Sequence, residues 1–194
     1  MYAMLKNLTK RLMDLVLACL ALLIFFLPIA LISLLIRATS QGPVLYWSNR
    51  VGRDNIIFSM PKFRTMRIGT PVLATHLLNN PESHLTPIGK FLRQTSLDEL
   101  PQLWSILRGD MSFVGPRPAL FNQIDLIQLR TERGVDVLCP GLTGWAQVNG
   151  RDELSISDKV KLDEEYLHKK SVLFELKILW LTFIKVITRD GVSH

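Results

Sequence analysis

Between Leu15 and Ile36 the chain reads LVLACLALLIFFLPIALISLLI, 22 residues without a charge. As one straight helix this run would reach about 33 Å, enough to match the hydrocarbon core of a bilayer. It is too long for the core of a signal peptide, and no small-residue cleavage site follows it cleanly. Two features argue against a simple crossing. Lys6, Lys10 and Arg11 precede the run and Arg37 follows it, whereas a single span more often carries its basic residues on one side. Pro28 lies inside it and removes the hydrogen bond to the Ile24 carbonyl, which favours a kink. A helix that enters, bends and returns to the same face satisfies both features. A kinked single-pass anchor satisfies the second, and the residues alone leave both topologies open. Residues 1–37 are therefore expected to form a re-entrant, helix-break-helix membrane segment, and residues 38–194 a polar domain.

The charge balance narrows what that domain meets. Lys and Arg number 23 against 17 Asp and Glu, a net +6, in a chain that is 48% hydrophobic. Basic and apolar together point to a membrane surface or an anionic ligand. Nucleic acid would suit the charge but not the hydropathy, and no nucleic-acid-binding signature is present, so it is excluded as a partner. At 194 residues there is room for one proper core and not for a second full domain. Cys19 and Cys139 lie far apart, which implies neither a disulfide framework nor a zinc site and makes a reducing compartment the default. No HExxH, P-loop or GxGxxG directs the chemistry elsewhere.

Past Arg37 the chain reads as short extended pieces with turns at Gly42-Pro43 and GRDN. In PKFRTM an extended backbone places Lys62 and Arg64 on one face and Phe63 and Thr65 on the other, which predicts a two-pronged cationic edge. Residues 69–86 read as loop. PIGKFLRQ, residues 87–94, predicts a short helix begun by Pro87 with Arg93 near its end.

TSLDELPQLW, residues 95–104, sets Asp98 beside Glu99 at a helix start. Ser96 and Glu99 fit the S-x-x-E capping box, but on that register Pro101 becomes the fifth helical residue and deletes a bond. A start at Asp98 puts Pro101 in the first turn, where its missing N–H costs little. On either register a carboxylate lies at a helix N-terminus, which favours its ionised form. Downstream, Gly115-Pro116-Arg117-Pro118 displays an arginine on a stiff loop, the presentation that bidentate phosphate recognition needs. CPGLTGWAQVNGRD, residues 139–152, is a second turn-rich loop ending near Arg151, whose glycines either bring N–H groups close to a ligand or serve turns. Carboxylates among Lys62, Arg64, Arg93, Arg117 and Arg151 are the arrangement expected around a phosphate or diphosphate.

KFRTM, TSLDELPQLW, GDMSFVGPRP and PGLTGWAQVNGR, in that order behind a hydrophobic segment, resemble the bacterial sugar transferase family, the small monotopic phosphoglycosyl transferases. The resemblance runs from about Lys10 to Ile187. It implies transfer of a sugar-1-phosphate from a nucleotide diphosphate sugar, usually a UDP-sugar, to a polyprenol phosphate at the cytoplasmic face of the bacterial inner membrane, starting glycan assembly. It implies Asp98 as the nucleophile that forms an aspartyl phosphosugar, and Glu99 as a ligand or partner of Mg²⁺. Arg93 and Arg117 match positions expected to hold phosphate, and Lys62, Arg64 and Arg151 match family motifs of less defined role. The re-entrant helix of the family breaks at a Ser-Pro pair, where this chain has Leu27-Pro28.

In VLFELKILWLTFIKVITRD, Glu175, Thr182, Lys185 and Arg189 fall close to one helical face and Trp180, Phe183, Ile184 and Ile187 elsewhere, predicting an interfacial helix at about residues 172–188. KLDEEYL, residues 161–167, reads as a solvated helix face, with approach of Asp163 to the site as the alternative. The expected whole is an α/β membrane-associated enzyme whose re-entrant and interfacial helices surround a small β element and a cytosolic-face active site. The competing reading is a non-catalytic membrane anchor whose basic surface binds anionic lipid or a partner protein.

Overall fold

The structure, a computed structural model, describes residues 2–71, 80–150 and 153–188. Helix α1, Tyr2–Thr39, continues through Pro28. The break expected there is not an interruption of secondary structure, because one proline removes one ladder bond and the turns on either side keep theirs. Lys10, Arg11 and Asp14 turn toward the rest of the protein. Asp14 is 3% exposed and accepts hydrogen bonds from Ser112 Oγ at 3.0 Å and from the Phe113 amide at 3.1 Å. Arg11 donates to the carbonyls of Ile106 and Leu107. Ala18 packs against Met60, Leu103, Ile106 and Met111, while Ile32 and Ile36 pack against Phe63 and Leu92. Both arms of α1 therefore rest on the same domain. Between them Leu23, Ile24, Phe26 and Leu27 are exposed.

Strands β1, Leu45–Val51, and β2, Ile57–Phe63, form an antiparallel pair in which Tyr46 faces Lys62, Ser48 faces Met60 and Arg50 faces Phe58. Opposed residues share a face, so Tyr46, Ser48 and Arg50 line up beside Lys62 and Met60. On the other face Phe63 is buried under α1 and under α2, Gly89–Gln94. Residues 69–86, read as loop, contain a 3-10 turn at Pro81–His84; 72–79 lie outside the described residues. A 3-10 helix, Leu97–Gln102, leads directly into α3, Leu103–Arg108, whose last carbonyls are the ones that Arg11 caps.

A second sheet pairs β3, Ser112–Val114, with β4, Gly141–Thr143, in parallel. The remaining helices are α4 at Ile124–Glu132, α5 at Trp145–Val148, α6 at Ile156–Lys169 and α7 at Val172–Thr188. Val114, Val135, Leu138, Val148, Tyr166 and Ile178 form the core that α5, α6 and α7 share, while α4 packs through Leu126 against Ala119 and Val160. The fold is thus mixed α/β with one long apolar N-terminal helix, Leu8–Thr39, compatible with membrane association.

KLDEEYL is only in part a solvated face: Lys161 is exposed, whereas Asp163 is 1% exposed and Tyr166 2%. In α7 Glu175 and Thr182 point into the protein. Glu175 pairs with Lys10 at 2.8 Å and accepts from Tyr166, and Thr182 hydrogen-bonds with Thr143. Leu173, Leu176, Trp180, Phe183 and Val186 are exposed, as is Lys177, so the outward face is mostly apolar. Arg189 lies outside the described residues.

Candidate active site

The site begins with a strained residue. Ser96 has φ 56° and ψ 16°, the left-handed region, and reverses the chain after α2. It makes no side-chain cap, so the expected capping box does not form. Its carbonyl instead accepts the Glu99 amide at 3.2 Å. The next turn is 3-10 rather than α, and its tighter i→i+3 pattern lets Pro101 lie inside it before α3 restarts at Leu103. Glu99 is released from capping, and its Oε1 accepts from Lys62 Nζ at 2.8 Å and Arg117 Nη2 at 3.1 Å.

Asp98 is 8% exposed, and its Oδ2 lies 4.0 Å from Lys62 Nζ. Burial pushes its carboxyl above the usual range; Lys62 opposes this, Glu99 adds to it, and Arg93 and Arg117 oppose it. Arg93, in the last turn of α2, donates from Nε to Thr65 Oγ1 at 3.0 Å. Burial lowers its pKa, and the Asp98 charge partly restores it.

The loop carrying Arg117 is held by its backbone. A Cβ on Gly115 would fall 2.3 Å from the Cys139 carbonyl oxygen, one on Gly141 2.1 Å from the Gly115 nitrogen, and one on Gly144 2.1 Å from the Gly115 oxygen. These glycines let two chain segments touch, which is the close approach that the sequence reading had allowed for a ligand. Beyond the turn, the Arg117 carbonyl accepts from Arg130 Nη1 at 2.8 Å. Arg130 in turn donates from Nε and Nη2 to Asp163 Oδ2 at 3.0 and 2.7 Å.

Of the residues expected here, the structure brings Lys62, Arg93, Asp98, Glu99 and Arg117 together. The two-pronged edge does not form. Arg64, 6% exposed, donates to the Ser40 and Gln41 carbonyls and to Ser40 Oγ, because the strand ends at Phe63 and the next side chain turns toward the end of α1. Arg151 lies outside the described residues. Sequence reading missed Arg50, whose alternation with Tyr46 and Ser48 opposite Lys62 was a usable signal. It also missed Arg130, which no local pattern marks.

Among the described residues no three His, Cys, Asp or Glu side chains cluster to hold a metal ion. The paired carboxylates offer hard oxygen donors of the kind Mg²⁺ shares with substrate phosphates, so they fit that ion rather than a closed protein cage.

An uncharacterized sugar transferase of Haemophilus influenzae is 36% identical over 204 residues, covering 96% of this chain and 42% of its own. The UDP-glucose:undecaprenyl-phosphate glucose-1-phosphate transferase of Escherichia coli is 39% identical over 189 residues, covering 93% and 40%. An uncharacterized sugar transferase of Bacillus subtilis is 39% identical over 185 residues, covering 95% and 90%. The chain thus spans about two fifths of the first two relatives and nearly all of the third. The profile of the bacterial sugar transferases matches residues 5–189, and the chain belongs to that family.

Proposed function

We propose that this chain transfers a sugar-1-phosphate from a nucleotide diphosphate sugar, with UDP as the carrier, to a polyprenol phosphate, undecaprenyl phosphate, through a covalent intermediate on Asp98. One observation carries the reading: a nearly buried carboxylate lies among Lys62, Arg93 and Arg117 with a second carboxylate beside it. Such an array can attack a phosphorus and stabilise the charge that develops. Asp98 attacks the sugar-bearing β-phosphorus; the bond to the bridging oxygen breaks, and the nucleoside monophosphate leaves with that electron pair. An oxygen of the polyprenol phosphate then attacks the same phosphorus and displaces the Asp98 carboxylate, leaving a polyprenyl diphosphate sugar. Lys62, Arg93 and Arg117 hold the phosphates in line. Glu99 would hold Mg²⁺, which supplies neutralisation of the diphosphate charge. This is the opening step of a glycan assembled on a lipid carrier.

The same reading sets the chain on the cytoplasmic face of the inner membrane with a re-entrant α1. Lys10, Arg11 and Asp14 on one arm and Ile32 and Ile36 on the other all contact one polar domain, with the apolar apex Leu23–Leu27 outside it. A straight crossing would draw that domain into lipid. The mostly apolar outer face of α7 adds an interfacial contact.

The test is a panel of nucleotide sugars with Mg²⁺ and undecaprenyl phosphate, scoring nucleoside monophosphate. A sugar phosphate should appear on the protein, with up to about one equivalent of nucleotide, before acceptor is added. Intersecting initial-rate lines with no labelled protein would instead mean direct attack by the acceptor. For topology, cysteines at Asn7 and Thr39, after replacement of Cys19 and Cys139, should both resist an impermeant thiol reagent in intact cells. Labelling of position 7 alone would mean a straight crossing.

A further inference from the structure

Arg50 lies at the edge of this cluster and is held in an unusual way. It stands on the β1 face that carries Lys62's neighbours, and its Nε donates to Ser48 Oγ at 3.0 Å, which folds the guanidinium back along the strand toward the site. Nη1 donates to the Pro118 carbonyl at 3.1 Å, one residue past Arg117. Both partners are neutral oxygens. Among the described residues Arg50 forms no ion pair, although burial and then the Arg117 charge pull its pKa down to about 10, with Glu99 and Tyr46 opposing. A largely desolvated guanidinium beside another cation is a costly arrangement that a bound anion would relieve.

The charges are also ordered along the site. Arg117 donates to Glu99 at 3.1 Å, and Arg50 reaches the carbonyl of Pro118, the next residue in the chain. Lys62 stands between the two carboxylates, 2.8 Å from Glu99 and 4.0 Å from Asp98. The cationic strip therefore has an Asp98 end and an Arg50 end.

We propose that Arg50 is a phosphate-binding residue that, with Arg117, takes the non-reacting phosphate of the diphosphate and holds it as the leaving nucleoside monophosphate departs. This rests on the phosphoglycosyl transfer reading for its account of which phosphate leaves; the anion site itself does not depend on turnover. Ser48 and the Pro118 carbonyl aim the fork, and Arg117 and Arg50 approach the phosphate from two separate segments, the Pro116–Pro118 loop and β1.

Binding separates this proposal from the reaction. The full chain in detergent micelles at fixed Mg²⁺ is titrated with inorganic pyrophosphate and, separately, with inorganic phosphate, for wild type, Arg50→Gln and Arg50→Lys. Pyrophosphate can reach both ends of the strip and phosphate only one. Arg50→Gln is expected to weaken pyrophosphate at least about tenfold and phosphate much less, and Arg50→Lys to recover part of the difference. The unliganded melting temperature should not fall, since a poorly compensated cation has been removed. Unchanged pyrophosphate affinity in Arg50→Gln overturns the proposal. So does an equal loss for both anions together with a lower unliganded melting temperature, which would make Arg50 a support for the Pro118 loop. If Arg50→Gln does not fold, Arg50→Lys with full affinity for both anions also overturns it. A chain that binds pyrophosphate through Arg50 but releases no nucleotide from any sugar donor keeps the site and sinks the transferase reading.

Discussion

Two charged clusters in this molecule use similar residues to opposite ends. Where α1 meets the domain, Lys10 pairs with Glu175 at 2.8 Å and donates to the Val114 carbonyl at 3.2 Å, and Tyr166 donates to the same two acceptors. The pair is sealed, with Glu175 2% exposed and its Oε2 left without a hydrogen-bond partner among the described residues, and Lys170 and Arg53 add positive charge nearby. Around Asp98, among the described residues, Arg50, Lys62, Arg93 and Arg117 face the two carboxylates of Asp98 and Glu99. The first cluster holds α1 to the fold. Among the described residues the second has more cations than carboxylates, which suits an anionic ligand. Access separates the two: the Lys10 and Glu175 side chains are 12% and 2% exposed, and that of Arg117 is 36% exposed.

Replacing residues in each cluster should separate these roles. Asp98→Asn keeps shape and should leave folding intact, but it removes the nucleophile, so turnover should fall by more than about a hundredfold. Retention of a larger share of wild-type activity would remove Asp98 from that role. Chelation with EDTA should stop the reaction reversibly, with Mg²⁺ restoring it; full activity after chelation would remove the metal from the scheme.

In the first cluster, Lys10→Met strands the Glu175 carboxylate and should cost about 3–5 kcal/mol of stability. Lys10→Met combined with Glu175→Gln should recover much of that loss. Thermal unfolding in detergent reads both, and a double variant no more stable than the single one would mean that the pair is not the source of the cost.

Arg117→Lys keeps the charge and loses the planar fork, so kcat/KM should drop by about tenfold or more while the melting temperature holds. Full activity would leave the Gly-Pro-Arg-Pro loop a purely structural element. The smallest effect is expected from Asp163→Asn, which weakens the hold of Arg130 on the Arg117 carbonyl. KM should rise severalfold with little change in kcat, and an unchanged KM would show that the loop stays in place without that support.

What the sequence disclosed depends on how local the physics is. The apolar run, the short helix ending near Arg93 and the stiff loop at Arg117 rest on composition and proline geometry, and each is found where it was read. The fate of Glu99 was not readable, because it depends on Lys62, 37 residues away in the chain, competing with a nearby amide. Arg64 was misplaced because its partners, Ser40 and Gln41, come from the end of α1 and no strand pattern reveals them. The α7 periodicity was readable and the partners of its polar stripe were not, since such a stripe can face water or a buried partner such as Lys10 equally well. Arg50 was within reach, for alternation along β1 already aligned it with the face of Lys62.

The glycine contacts bear on how this protein would look to a saturation mutagenesis screen. Gly115, Gly141 and Gly144 offer no chemical group, yet at each of them even a methyl would meet backbone at 2.3 Å or less. A screen scored on function would rank these three positions with Asp98 as intolerant of nearly every exchange, for a different reason. Assaying the same library for abundance as well as activity would tell the two apart: the glycine variants should be lost from both readouts, and the Asp98 variants from activity alone.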